Sequence, residues 1–158
     1  MELVRLSLGN VWDIVRLSVA KEQQDFVAPN PYSIIEAFAA REDGYTALPF
    51  GLYEDGERVG FVMIGCGSIG DEDEPEPAKD SYCIWRLMID ARFQGRGLGR
   101  KAVQTALSYI RTWPCGPAKR CWLSYEPENT AARRLYASMG FRETGEMDGD
   151  EVVAVLEL

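Results

Sequence analysis

Histidine is absent from all 158 residues. Its absence removes the commonest general base and, with it, the usual serine and cysteine triads. The four cysteines, Cys66, Cys83, Cys115 and Cys121, show no C-x-x-C spacing. Without histidine to complete a ligand set they do not make a zinc site, and no metal is expected. They read as free thiols packed in the interior. No apolar run approaches the roughly 18 residues needed to span a bilayer. The start, Met1-Glu2-Leu3-Val4-Arg5, lacks the charged-then-apolar order of a signal peptide. The expectation is therefore a cytoplasmic protein that engages no membrane. A pI of 4.6 and the lack of a basic stripe argue against a nucleic-acid groove.

What remains is enough for one folded unit. At 158 residues and 46% hydrophobic composition the chain reads as a single domain, 1–158, with a core that needs no staples. Its net charge of −8 is unevenly spread. Between Arg86 and Arg142 there are eleven Lys or Arg and three Asp or Glu, leaving six bases and twenty-two acids elsewhere, so the local balances are +8 and −16. Such a split suggests a basic surface for a polyanion and an acidic one for a cation, beside the plainer reading of solvated surface charge.

Hydrophobic periodicity gives the order of elements. Glu2 to Leu8 alternates as a half-buried strand, and Asn10 is placed to cap a helix carrying Val11, Trp12, Ile14, Val15 and Leu17. Phe26 to Pro31 interrupts regular structure, and Ser33 to Ala40 reads as a second helix. Strands over Ala47–Tyr53 and Arg58–Cys66 join at Asp55-Gly56, a strong hairpin signal. Asp71 to Asp80, with six acids and two prolines, reads as an exposed loop. A strand over Tyr82–Asp90, a helix over Leu98–Thr112, a strand over Lys119–Tyr125, a helix over Glu128–Met139 and a strand over Glu151–Leu158 complete the chain. This order predicts an α/β fold with mixed strand directions.

Between the strand ending at Asp90 and the next helix lies Gln94-Gly95-Arg96-Gly97-Leu98-Gly99-Arg100. Three glycines let the backbone turn tightly and aim several helix-start N–H groups at one phosphate, although such a run is also sometimes only a turn. A Walker loop would place Lys-Ser or Lys-Thr after its last glycine, where this chain has Arg100 and Lys101. A dinucleotide fingerprint needs a later third glycine and an acid about twenty residues on. Neither pattern fits.

Several linked segments together resemble the GCN5-related N-acetyltransferase (GNAT) family. They are Leu87-Met88-Ile89-Asp90 leading into the glycine run, Asn129 opening a helix, and Leu135-Tyr136 before Gly140-Phe141. The resemblance implies a mixed, mostly antiparallel central sheet flanked by helices, split into a V between two parallel strands, and acetyl coenzyme A as co-substrate. It implies that backbone groups of Leu87, Met88 and Ile89 pair with the pantetheine arm. Gln94, Gly95, Arg96, Gly97, Leu98, Gly99 and Arg100 would receive the pyrophosphate, and Asn129 would hydrogen-bond the pantetheine. Tyr136 would protonate the departing thiolate, a role that its hydroxyl suits.

Within the family, Phe26-Val27-Ala28-Pro29-Asn30, Trp85 to Asp90 and Ser124 to Asn129 look like bacterial spermine, spermidine and diamine acetyltransferases. The implied partner is a small cationic amine, and a homodimer, since dimers are common in the family. Another polycation, an aminoglycoside or a protein α-amine, is the alternative substrate, and a module that senses coenzyme A or polyamine without catalysis is a third reading. Candidate carboxylates for the ammonium groups are Glu22, Asp25, Glu36, Glu42, Asp43, Glu54 and the acids of Asp71 to Asp80, with Trp12, Tyr32, Tyr82 and Trp85 to stack on methylenes. Some relatives carry a glutamate base where this chain has Trp85. An amine with a pKa near 10 must lose a proton before it attacks, so Glu126, acting through water, is the expected base.

Overall fold

The computed structural model describes residues 1–68 and 74–158. Among the described residues seven strands form one sheet in the order β1-β2-β3-β4-β5-β7-β6. They are β1 (Glu2–Arg5), β2 (Thr46–Glu54), β3 (Glu57–Cys66), β4 (Tyr82–Ile89), β5 (Arg120–Tyr125), β6 (Arg142–Asp148) and β7 (Glu151–Glu157). All neighbours run antiparallel except β4 and β5. Helices α1 (Val11–Val15) and α2 (Asn30–Glu42) pack on one face, and α3 (Leu98–Ile110) and α4 (Thr130–Ser138) on the other.

Because helices cover both faces, β3 is buried continuously from Val59 to Ile64 rather than at alternate positions. Phe61 and Met63 join the core with Ile14 and Ala37, while Val62 and Ile64 join the core with α3. That helix buries Leu98, Ala102, Val103, Ala106, Leu107 and Ile110, one stripe at helical spacing. Each large member contributes roughly 1.5–3 kcal/mol of burial.

The strand β4 holds the irregularity that matters for the site. Ile64 pairs with Ile84 and Met63 with Arg86, so Trp85 is an extra, bulged residue. A one-residue insertion exchanges the faces of everything that follows. Tyr82 and Ile84 point into the α3 core before the bulge; after it Leu87 and Ile89 do so, and Met88 faces α1 and α2.

Several expectations change. Asn10 does not cap α1: its Oδ1 accepts from the Ser7 N–H at 2.8 Å and its amide donates to the Arg5 carbonyl, which ends β1 at Arg5. Residues Lys21–Phe26 form a 3-10 turn, and Pro31 lies inside the first turn of α2, where its missing N–H is harmless, rather than interrupting structure. The strand β6 was not expected, because its residues are nearly all exposed and polar and carry no apolar alternation. Of the acidic segment, Asp71 to Asp73 lie outside the described residues. Its second half is not simply an exposed loop, since Pro77 and Ala78 are buried in a 3-10 turn over Glu76–Ala78.

Two cysteines are not free. Cys66 and Cys115 form a disulfide with Cα atoms 6.5 Å apart, across 49 residues that carry no spacing signal. Tyr82 brings them together: it pairs with Cys66 in the sheet, and its buried hydroxyl donates to the Gly116 carbonyl and accepts from the Cys115 N–H. Tyr82 is therefore an internal strut, not a platform for substrate. Cys83 and Cys121 are free and buried, and burial pushes both thiols up, Cys121 to about 12.

Candidate active site

Pairing between β4 and β5 ends after Tyr82 with Cys121 and Cys83 with Trp122. Beyond that point the strands part, and a cleft of about 430 Å³ opens between Ile84–Ile89 on one side and Ser124 and Tyr125 on the other. The expected V is thus present, with the C-terminal half of β4 offering one unpaired edge. The carboxylate of Asp90 fixes the far end of that edge. It accepts from the Ser18 N–H at 3.1 Å, the Arg92 N–H at 3.1 Å and the Arg92 Nε at 2.7 Å. Burial alone would raise this carboxyl, but the Arg92 guanidinium and the two N–H donors outweigh it and hold it below its ordinary 3.8.

The glycine run follows directly. Gly95 and Gly97 both have φ of +74°, the left-handed region that other residues enter only with strain, and Gly97 opens α3. The N–H groups of Leu98, Gly99 and Arg100, in the first turn of α3, have no acceptor within the helix and form the positive end of its dipole. Gly99 comes so near α4 that an added Cβ would lie 3.4 Å from Leu135 Cδ2. The Gln94 amide donates to Gln23 Oε1 and the Ile89 carbonyl, which ties the loop to the strand.

Leu87, Met88, Ile89, Gln94, Gly95, Gly97, Leu98, Gly99, Asn129 and Tyr136 all line this cleft. Arg96 and Arg100 turn their side chains elsewhere, Arg96 to the Arg92 carbonyl and Arg100 to Ser138 Oγ. Asn129 caps α4 by accepting from the Ala132 N–H at 3.1 Å. Tyr136 is held between Tyr125 and Phe141, ring centroids 5.7 and 5.8 Å away. Burial and then the Glu151 carboxylate push its phenol well above the usual tyrosine range, so it stays protonated.

A second pocket adjoins the cleft through Trp85, Arg86, Ser124 and Glu151, which line both. Five carboxylates line it: Glu74, Glu126, Asp148, Asp150 and Glu151. Glu126 is raised above its ordinary 4.5, first by desolvation and then by repulsion from Glu151, Glu128 and Asp150. Ser124 Oγ lies within hydrogen-bond reach of both Asp148 and Glu151, with one proton to donate between them. The hairpin that turns at Gly149-Asp150 between β6 and β7 carries three of the five carboxylates, Asp148, Asp150 and Glu151, and Asp148-Gly149-Asp150 is the hairpin signal in the sequence.

Of the carboxylates expected at the substrate, Glu74 lines the acidic pocket and Asp25 the cleft, and Glu36 bonds Arg86 at 3.3 Å. Glu22, Glu42 and Asp43 are exposed and line neither cavity. Glu54 is engaged far away by Lys101 and the N-terminal ammonium. Trp85 lines both cavities, whereas Trp12 and Tyr32 are exposed on α1 and α2 and line neither.

A parallel pair that splits beside a glycine-rich helix start is the arrangement that the GNAT resemblance implies, and known proteins share it. Residues 11–141 match the model of the Acetyltransferase (GNAT) family, and the chain belongs to that family. A spermine/spermidine N(1)-acetyltransferase of Bacillus subtilis strain 168 is 33% identical over 149 residues, 92% of this chain and 90% of the relative. The N-alpha-acetyltransferase RimI of Mycobacterium tuberculosis is 30% identical over 124 residues, 78% of this chain and 70% of its own. In structure, the aminoglycoside acetyltransferase AAC(6')-Ib in complex with coenzyme A superposes with a TM-score of 0.76 at 18% identity, over 98% of this chain and 93% of that one. The PaiA N-acetyltransferase of Thermoplasma acidophilum, also with coenzyme A, gives 0.68 at 13%, over 99% of this chain and 98% of that one. The chain is an acetyl coenzyme A-dependent N-acetyltransferase. Among the described residues no helix is long and apolar enough to cross a membrane.

Proposed function

We propose that this enzyme acetylates a primary amine of a polyamine or diamine, with spermine or spermidine as representative substrates. The observation that carries the reading is the continuity of the coenzyme cleft with a pocket lined by five carboxylates. A polyamine can place its reacting nitrogen in the cleft and its remaining ammonium groups among carboxylates, which replace the water they lose. The identity with the Bacillus subtilis enzyme supports the same substrate class.

In this reading the open edge at Leu87, Met88 and Ile89 aligns the pantetheine arm. The N–H groups from Gly95 to Arg100 hold the pyrophosphate, and Asn129 contacts the arm from the opposite wall. Glu126 takes the proton of the amine through water; its raised carboxyl is a stronger base than an ordinary glutamate. The neutral amine forms the C–N bond as the C–S bond breaks; Tyr136 delivers its proton to the departing sulfur, and the second proton shed by the acylated nitrogen restores the Tyr136 phenol.

A thiol-release assay over polyamines, diamines, aminoglycosides and peptide α-amines tests this. Highest kcat/KM with a polyamine or diamine is expected. Good turnover of an aminoglycoside with none of any polyamine would reverse the assignment.

A further inference from the structure

An acidic pocket beside the reacting nitrogen sets a conflict. Carboxylates that attract the ammonium groups of a polyamine also raise their pKa values, yet the nitrogen that attacks must be neutral. The conflict is sharpest at the junction of the two cavities. Glu151 of the β6–β7 hairpin lines both cavities, Glu126 at the end of β5 and Asp148 and Asp150 of the hairpin line the acidic pocket, and Glu36 from α2 bonds Arg86, which lines both. Glu74 stands on the acidic rim, and Asp25 and Tyr136 on the coenzyme side.

Among the described residues that line the acidic pocket, Arg86 is the sole cation, and it also lines the cleft. Its guanidinium is fixed on three sides. One nitrogen donates to the Trp85 carbonyl at 2.9 Å, another to Glu36 Oε2 at 3.3 Å, and its carbon lies 5.9 Å over the Trp85 ring. Its Nε is buried without a partner among the described residues. Its partner Glu36 lines neither cavity, so the guanidinium is the face that this ion pair presents to the acidic pocket, where it weakens attraction for a polycation. Its position is therefore better explained by the reaction than by binding.

We propose that Arg86 selects the nitrogen that reacts: its charge repels a proton from the amine beside the thioester, while the hairpin carboxylates keep the distal nitrogens protonated. The inference rests on the polyamine reading and adds a division of labour to it. One residue supplies the ionisation gradient along the substrate, so that Glu126 has only to accept a proton already loosened.

The test is the pH profile of single-turnover acetyl transfer at saturating diamine, for the wild type, Arg86→Gln and Arg86→Lys. In Arg86→Gln the midpoint of the upper limb is expected to rise by about one pH unit. Its rate falls about tenfold near neutrality and recovers in alkali. Arg86→Lys keeps the wild-type midpoint, and KM for the diamine does not rise in Arg86→Gln. A difluorinated diamine, whose nitrogens are less basic, lowers the wild-type midpoint and erases most of the Arg86→Gln defect. A rate that falls equally at every pH, or a midpoint indifferent to the basicity of the amine, overturns the proposal. Turnover of an aminoglycoside but of no diamine overturns the polyamine reading alone, and the same profiles with that substrate then decide the role of Arg86. No turnover of any amine overturns both.

Discussion

Tyr136 and Glu126 are pushed in the same direction by burial, with opposite chemical consequences. Raising a phenol that is already protonated keeps it a proton donor across the working pH range, whereas raising a carboxyl makes its ionised form a better acceptor. Tyr136→Phe removes the donor and leaves the rings of Tyr125 and Phe141 in contact with an aromatic of the same shape. The expected result is a fall in kcat of about 10²-fold or more with coenzyme affinity unchanged by calorimetry; an unchanged kcat would remove Tyr136 from the chemistry. For Glu126 the raised carboxyl sets a second, lower break in the pH profile, above its ordinary 4.5. Glu126→Gln should lose that break and lower kcat/KM on its alkaline side. The stability effect has the opposite sign. A carboxyl whose folded pKa exceeds its unfolded one favours the fold at low pH, and that contribution disappears as pH rises through the folded pKa. Glu126→Gln should therefore melt no lower than the wild type near neutrality, and a lower Tm there would make Glu126 a structural group.

At the scale of elements, the joint after β4 couples stability to the site. The carboxylate of Asp90 binds the residue after α1's C-terminal turn region, Ser18, to the strand end from which the glycine run departs. Its pKa is lowered in the folded protein, so its stabilising contribution is present above the ordinary 3.8 and is lost as pH falls through the folded value. Asp90→Asn should melt below the wild type near neutrality and bind acetyl coenzyme A more weakly. Thermal melts across acid pH should show the two curves converging, and a constant gap would assign the loss to packing. Much of this framework was legible in the sequence. The Asp55-Gly56 hairpin appears as expected, the Leu98 stripe forms α3, and Asn129 opens α4. Those features are local, set by φ, by caps and by periodicity. What escaped was tertiary: β6 is held by its pairing with β7 rather than by its own pattern, and Cys66 meets Cys115 where Tyr82 ties the loop at Cys115 and Gly116 to the sheet. The sequence places the acidic side of the site mainly in the N-terminal half and Asp71 to Asp80. Most of it comes from the terminal hairpin, whose acids adjoin Glu126 only once β7 lies beside β5.

Across the whole molecule, the uneven charge becomes a spatial arrangement. The segment from Arg86 to Arg142, with a balance of +8, carries the glycine run and α3, while the β6–β7 hairpin and the surface before β4 contribute acids to the neighbouring pocket. Under the polyamine proposal, ligands of opposite charge would approach from different sides, the anionic coenzyme at the helix start and the cationic amine at the hairpin. Attraction of this kind is screened over a Debye length of about 8 Å at physiological ionic strength. It should therefore depend on salt and on the number of charges in the substrate. Raising the salt from about 0.05 M to about 0.5 M should increase KM for spermine several-fold and for a diamine less, with kcat nearly constant. Replacing Asp148 and Asp150 by Asn should flatten the spermine dependence towards that of the diamine, because Glu126, Glu151 and Glu74 then face the distal nitrogens without them. Steady-state kinetics at matched pH reads both slopes. If the spermine and diamine slopes coincide in the wild type, the hairpin carboxylates do not meet the distal ammonium groups, and the acidic pocket serves some other end than holding a polyamine.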